Sequence, residues 1–325
     1  MSESPFFIVG CGRSGTTLLR TLLNRHPVIA IPLESLFIVD YLRAASRFDL
    51  SLLKSLLIRE PEIQEWGIKP TLKDLQDCHT VPEAIGMLHH MYLESRRKRQ
   101  WGQKTPRFVR HMDLILTHFP NARFIHLVRD PRAVVSSLMR SDVHRSNALH
   151  ASLRWRMDVR KGFDFEQRHP ERVIRIYYED LVRNAEEKLR HILAFLSLPY
   201  DASLEEPGET ARDEYTRFYQ NIHANIDRMP TDQYINKWKD DLSRRDVEVV
   251  ESINGEMMGS LGYEREFAQP TIPGDYAVLM RIYRLRGLLR QTYHYLRHRR
   301  AYLLFLFWRK WRLGLLKDFL WTVNY

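Results

Sequence analysis

The chain has 325 residues, of which 44% are hydrophobic, and it carries only 14 glycines and 15 prolines. That is enough for one large α/β domain or two modest ones with a real core. Two cysteines, Cys11 and Cys78, exclude a disulfide scaffold and fit a reducing compartment, while a formal charge of +10 points to an anionic partner: nucleotide phosphates, nucleic acid or an acidic membrane.

The location of the charge matters more than its total. Between Asp275 and Tyr325 there are 11 Lys/Arg and 2 Asp/Glu, a net of +9, which leaves +1 for everything before. A nearly neutral domain, 1–268, is therefore expected ahead of a basic, aromatic helical tail, 269–325. The apolar run Pro5–Val9 is too short for a signal-peptide core, and no stretch reaches the ~18 uncharged apolar residues of a membrane helix. The expected location is cytoplasmic, with peripheral attachment to the inner face of a membrane as an extension of it.

In chain order, Phe6–Val9 reads as a buried strand, followed by a glycine-rich turn and an apolar-periodic helix from Thr16 to Arg25. Periodicity predicts a largely helical Leu36–Ile58 and a helix over Glu83–Arg99. A short strand at Trp101–Lys104 and a helix over Phe108–Phe119 follow. Arg123–Val128 is a second buried strand. Asp130-Pro131 then opens a helix, with Asp130 as N-cap and Pro131 at the first helical position. A long helix is predicted at Ala148–Arg168, a strand at Val173–Tyr177, and helices at Ala185–Leu196 and Val247–Leu261. Gln269–Gly274 reads as a linker before two basic amphipathic helices. Strands alternating with helices give a P-loop-like three-layer α/β fold, with a central parallel sheet flanked by helices.

The segment Gly10-Cys-Gly-Arg-Ser-Gly-Thr-Thr17 sits between a strand and a helix. Its glycines let several backbone N–H groups face one anion, and the helix start adds partial positive charge. Arg13 contributes a forked donor, and Thr16 and Thr17 can cap the helix or bind phosphate oxygens. The spacing imitates a Walker A loop, but Thr16 stands where that loop needs its lysine. Cys11, near the helix start, is not read as a functional thiol.

The stretch VGCGRSGTTLLRTLLNRHP resembles the 5′-phosphosulfate loop of the sulfotransferase superfamily, in the branch that includes tyrosylprotein and many bacterial sulfotransferases. Cytosolic members often have Lys in place of Arg13. The resemblance runs from about Pro5 to Glu266 and does not cover the tail. It implies a sulfonate donor, 3′-phosphoadenosine 5′-phosphosulfate (PAPS), bound as a co-substrate by Gly12, Arg13, Ser14, Gly15, Thr16 and Thr17. RFIHLVRDPRAVVSSL supplies Arg129 and Ser137 at the family's spacing for the 3′-phosphate. YYEDLV is similar to the segment whose tyrosine touches the nucleotide, here Tyr178. NKWKDDLS resembles the late segment that closes over the donor, with Lys237 on phosphate.

The resemblance also implies the chemistry. Glu34, in HPVIAIPLESLF, stands where the family has its general base, and Lys104, in WGQKTPRF, where a lysine meets the transferring sulfonate. Arg13 shares the charge of the leaving phosphate. Taken alone, Glu34 also suits a helix start and Lys104 a solvent-facing lysine. His26, His89, His90 and His111 are alternative bases; His89-His90 is expected on a solvated face, Arg132 in solvent, and His126 as a satisfied sheet residue. No metal is required, and no metal motif is present.

Two other functions stay open. A P-loop kinase or NTPase is disfavoured by Thr16, and a basic membrane-binding module is disfavoured by the neutral main domain. No nucleic-acid-binding signature is found. The hydroxyl acceptor is open among carbohydrate, lipid and protein tyrosine, with Trp66, Tyr92, Tyr215, Phe218 and Tyr219 as aromatics for its pocket or for the core. The tail, 275–325, is expected to meet an anionic membrane surface and to be separable from the catalytic core. Packing on the main domain and dimerisation are the alternatives.

Overall fold

The computed structural model describes residues 4–141, 146–204, 232–272, 274–298 and 300–318. Five strands are present among them: β1 (Phe6–Gly10), β2 (Ile29–Ala30), β3 (Gln100–Lys104), β4 (Arg123–Val128) and β5 (Val173–Tyr177). All pair in parallel, in the order β2-β3-β1-β4-β5. Parallel neighbours need crossover connections, and helices supply them. β1 shows why the sheet lies in the middle. Phe7 and Val9 enter the core on one face and Phe6 and Ile8 the core on the other, because alternate side chains of a strand point oppositely.

On the Phe7 face pack α2 (Phe37–Ala44), α3 (Leu50–Leu57), α4 (Pro61–Glu65), α5 (Val81–Arg96) and α6 (Met112–His118). On the Phe6 face pack α1 (Thr16–Arg25) and α10 (Ala185–Phe195), after a short α9 (Tyr178–Arg183). A third cluster joins α7 (Pro131–Arg140) and α8 (Ala148–Arg168) to α11 (Trp238–Asp241) and α12 (Arg244–Ser260). The expected three-layer α/β fold is the observed one.

The local signals held where they were strong. Asp130 caps α7, its carboxylate accepting from the Arg132 N–H, with Pro131 in the first turn. Three departures have plain causes. Leu36–Ile58 divides into α2 and α3, because Asp49 accepts from the Ser51 and Leu52 N–H groups and restarts the helix. The Phe108–Phe119 helix begins later, after a 3-10 turn at Pro106–Arg110. β2, at two residues, is too short to leave a periodic trace.

Three side-chain expectations are also corrected. His89 is not solvated: it is fully buried, stacks on Trp101 at 4.0 Å, and turns its ring nitrogens to the Ile85 carbonyl and the Gln103 amide oxygen. Arg132 is not in solvent: it is buried between Asp130 and Glu251, over the Trp238 ring. His126 is buried, but among the described residues neither ring nitrogen has a hydrogen-bond partner.

Beyond the linker lie α13 (Gly274–His298) and α14 (Arg300–Arg312). The start of α13 is held by Tyr276, which donates to Asp246 at 2.7 Å, and by Asn147, which donates to the Met280 carbonyl at 2.6 Å. α14 is held by charge. Arg309 reaches Asp40, Glu60 and Glu62 at 3.1, 2.8 and 3.4 Å, and Lys310 reaches Asp40 at 2.5 Å. Tyr302 donates to Glu62 and Tyr41 to Glu60. Arg309 and Lys310, expected on the membrane-facing or solvated side, are 1% and 3% exposed. Three carboxylates of α2 and the α4 region would otherwise be buried without countercharge, a state that costs several kcal/mol.

Candidate active site

The groups singled out in the sequence meet at the C-terminal edge of the sheet, where open parallel sheets bind ligands. The phosphate loop leaves the end of β1, Lys104 ends β3, Arg129 follows β4, and Tyr178 follows β5. Glu34 lies four residues past β2. One edge therefore collects motifs that are far apart in sequence.

The loop itself is shaped for an anion. Gly15 precedes α1 with φ of 93°, and a Cβ there would stand 2.3 Å from the Tyr178 ring. A Cβ on Gly12 would come within 2.9 Å of the Arg154 guanidinium. Position 15 thus needs glycine for both conformation and space, whereas at Gly12 the neighbour is the end of a flexible side chain. No side chain caps α1, so Thr16 and Thr17 do not take the capping role suggested for them. The N–H groups of its first turn keep their capacity for an anion. Ser14 is fully buried, and its hydroxyl has no partner among the described residues. A buried hydroxyl left unpaired beside a helix start fits a phosphate oxygen as its acceptor.

Arg129 and Ser137 meet through the phosphate loop. Arg13 Nε donates to Ser137 Oγ at 2.9 Å, while Arg129 donates to the Arg13 carbonyl at 3.2 Å and to the Tyr234 carbonyl at 3.0 Å. The Arg129 guanidinium lies 4.0 Å from the centre of the Tyr178 ring. Its Nε is buried without a partner, and among the described residues no carboxylate pairs with it. Burial, together with Arg129 and Arg140, pushes the Arg13 guanidinium down to about 10. Burial alone disfavours a charged guanidinium, the neighbouring arginines add to it and Glu34 opposes it; a bound anion would favour the charged form. Lys237 is exposed, with its ammonium 5.7 Å from the Tyr234 ring, beside the carbonyl that Arg129 holds.

Lys104 is 2% exposed at the end of β3 and reaches two ways. Its ammonium lies 3.2 Å from Thr17 Oγ1 and 2.5 Å from Glu34 Oε1. The lysine side chain is 3% exposed but that of Glu34 is 28% exposed, so the carboxylate is open on one side. Glu34 lies just before α2, whose first N–H, that of Phe37, donates to Glu62.

The alternative bases are less suited. His26 is engaged by the Pro199 carbonyl and the Val28 N–H. His111 is pushed down to about 3 by burial and by Arg43 and Arg110. Trp66 and Tyr92 belong to the core on the α2 side of the sheet, and Tyr215, Phe218 and Tyr219 lie outside the described residues. Burial and neighbouring Asp158 raise the Cys11 thiol far above its ordinary value, in keeping with an inert thiol. Sequence reasoning missed Arg154 and Trp155. Arg154 packs against Gly12, and Trp155 Nε1 donates to the Arg129 carbonyl at 2.9 Å. Their only local sign is a buried stripe of α8, indistinguishable from ordinary helix packing. Glu179 was also missed; it accepts from the Asp130 N–H and from Tyr263, tying β4 to the LGYERE segment.

Such an edge, with two arginines over a phosphate loop and a lysine–carboxylate pair beside it, is suited to holding an anion. The model of the sulfotransferase family matches residues 5–202, and the chain belongs to the sulfotransferase family. Transfer of a sulfonate group is its reaction.

Among its relatives is a putative protein-tyrosine sulfotransferase of Caenorhabditis briggsae, 24% identical over 282 residues, covering 85% of this chain and 93% of that protein. The protein-tyrosine sulfotransferase of Drosophila melanogaster is 30% identical over 207 residues, 61% of this chain but only 39% of that protein. In fold, the chain is similar to the sulfotransferase domain from the curacin biosynthetic pathway, with a TM-score of 0.60 at 21% identity, over 81% of this chain and 99% of that one.

Proposed function

We propose that the chain transfers the sulfonate of PAPS to a tyrosyl phenol, releasing 3′,5′-ADP and a sulfate ester. The observation that carries this reading is the position of Lys104, between Thr17 of the phosphate loop and the half-open carboxylate of Glu34. The phosphate loop and Arg13 hold the 5′ end of the donor, Arg129 and Ser137 its 3′-phosphate, and Tyr178 the nucleotide. Glu34 takes the acceptor proton as the acceptor oxygen bonds to sulfur. The bond from sulfur to the bridging oxygen breaks, and Lys104 and Arg13 balance the charge that gathers on the leaving phosphate. The names of the relatives favour a phenol, and its acidity suits a carboxylate base better than an aliphatic alcohol does.

The test is transfer from sulfur-labelled PAPS to acidic peptides that carry one tyrosine, with phenylalanine and serine versions beside them. The proposal expects label on the tyrosine peptide alone, with one 3′,5′-ADP released per label. Label on a carbohydrate or lipid fraction, and none on any peptide, overturns the choice of acceptor but not the choice of donor.

A further inference from the structure

The tail helices have two unlike sides. α14 buries Leu306, Arg309 and Lys310 and turns Leu304, Phe307 and Trp311 outward, the last 56% exposed. α13 is buried at Met280 and then runs with Ile282, Leu285, Leu289 and Leu296 all more than half exposed. Their spacing of three, four and seven places them along one stripe of the helix. Arg281, Arg286, Arg297, Arg300 and Arg312 are exposed around it. A fixed apolar stripe of this length marks a docking surface.

Charge decides what docks. From residue 281 to residue 317 all eleven Lys/Arg of the tail occur and no Asp or Glu. Two copies of this surface facing each other would place arginines against arginines with no carboxylate in either to pair them. An anionic bilayer offers both missing parts, hydrocarbon for the stripe and lipid phosphate for the arginines. The aromatic side chains Phe307, Trp311, Tyr283 and Tyr293, each about half exposed or more, suit the headgroup level. No helix among the described residues is long and apolar enough to cross a membrane. We infer that α13 and the outer face of α14 lie flat on an anionic lipid surface, and that the buried Arg309 and Lys310 anchor them to the catalytic body.

Co-sedimentation of the full chain with vesicles tests this. One set is phosphatidylcholine, the other one part phosphatidylglycerol to three parts phosphatidylcholine. At low salt, binding to the anionic set at least about tenfold tighter than to the neutral set is expected, and about 0.5 M salt should release it. Leu285→Asp with Leu289→Asp should cut anionic binding by about tenfold or more without changing the melting temperature. Arg281→Gln with Arg286→Gln should weaken it without touching the stripe, which keeps the test open should the first variant melt early. Failure of the full chain to bind anionic vesicles at low salt, or equal binding to both sets, overturns the inference. So does a dimer in light scattering that Leu285→Asp with Leu289→Asp dissociates, since that assigns the stripe to a second copy.

Discussion

The phosphate-loop edge and the α14 anchor are built from the same ingredients, buried cations among hydrogen bonds, yet the partners described for those cations differ. Arg309 and Lys310 face Asp40, Glu60 and Glu62, and the carboxylates hold the Arg309 guanidinium well above its ordinary value. Arg13 is instead pushed down to about 10, and Arg129 donates to two backbone carbonyls. Balanced charge is a clasp that closes the fold. Arginines held by backbone carbonyls and a serine hydroxyl beside a phosphate loop suit an anion. Counting arginines would not tell the two apart; the described partners of each one do.

The largest expected effect tests the clasp. Arg309→Met leaves three carboxylates with Lys310 alone, and breaking a buried ionic group in this way costs on the order of 3–5 kcal/mol. Denaturant titration of the full chain checks it. A truncation ending near Pro270 should be destabilised by a similar amount or more, because it removes Arg309 and Lys310 together. If both proteins melt like the parent, the clasp contributes nothing and the tail is the separable unit expected from sequence.

At the other region, Glu34→Gln should lower turnover at least ~100-fold while 3′,5′-ADP affinity stays within a few-fold. Turnover at the parent rate would remove Glu34 from the chemistry. Arg129→Ala should weaken 3′,5′-ADP roughly 10- to 150-fold, the equivalent of about 1.5–3 kcal/mol for a charged hydrogen bond. It should barely affect a nucleotide without the 3′-phosphate. Calorimetry showing equal losses for both nucleotides would contradict that role.

The smallest effect concerns neutral rather than charged groups. Burial holds His89 at about 4 and His111 and His126 at about 3, against 6.5 when unfolded. Between those values the unfolded chain binds protons that the folded chain refuses. These histidines therefore add stability that is full above pH ~6.5 and is lost as pH falls toward 3–4. His126→Leu should flatten the melting temperature against pH in that window and leave the Arg129 and Glu34 effects unchanged.

The two regions also differ in how much of them the sequence disclosed. The motifs that gather at the sheet edge were legible because their signals are local. A glycine-rich turn, an Asp130-Pro131 cap and an Arg–Ser spacing of eight each sit within one strand–helix unit. The clasp was not legible. Arg309 meets Glu60 across 249 residues and Lys310 meets Asp40 across 270. Within its own helix each looked like any other basic residue beside aromatics. Arg132 and His89 were misjudged for the same reason, since Glu251 and Gln103 lie on other elements. Hydrophobic period reports which face of a helix is apolar. It does not report that a distant carboxylate will bury a cation on the other face.

The proposal at stake is that the arginine-lined edge of the sheet takes a nucleotide phosphorylated at both 3′ and 5′ positions. Calorimetric titration of the full chain with 3′,5′-ADP, and separately with 5′-ADP and ATP, measures it directly. The account predicts that 3′,5′-ADP binds at least about tenfold tighter than either, as expected for one additional charged phosphate contact. Equal affinities, or a preference for ATP, would contradict it.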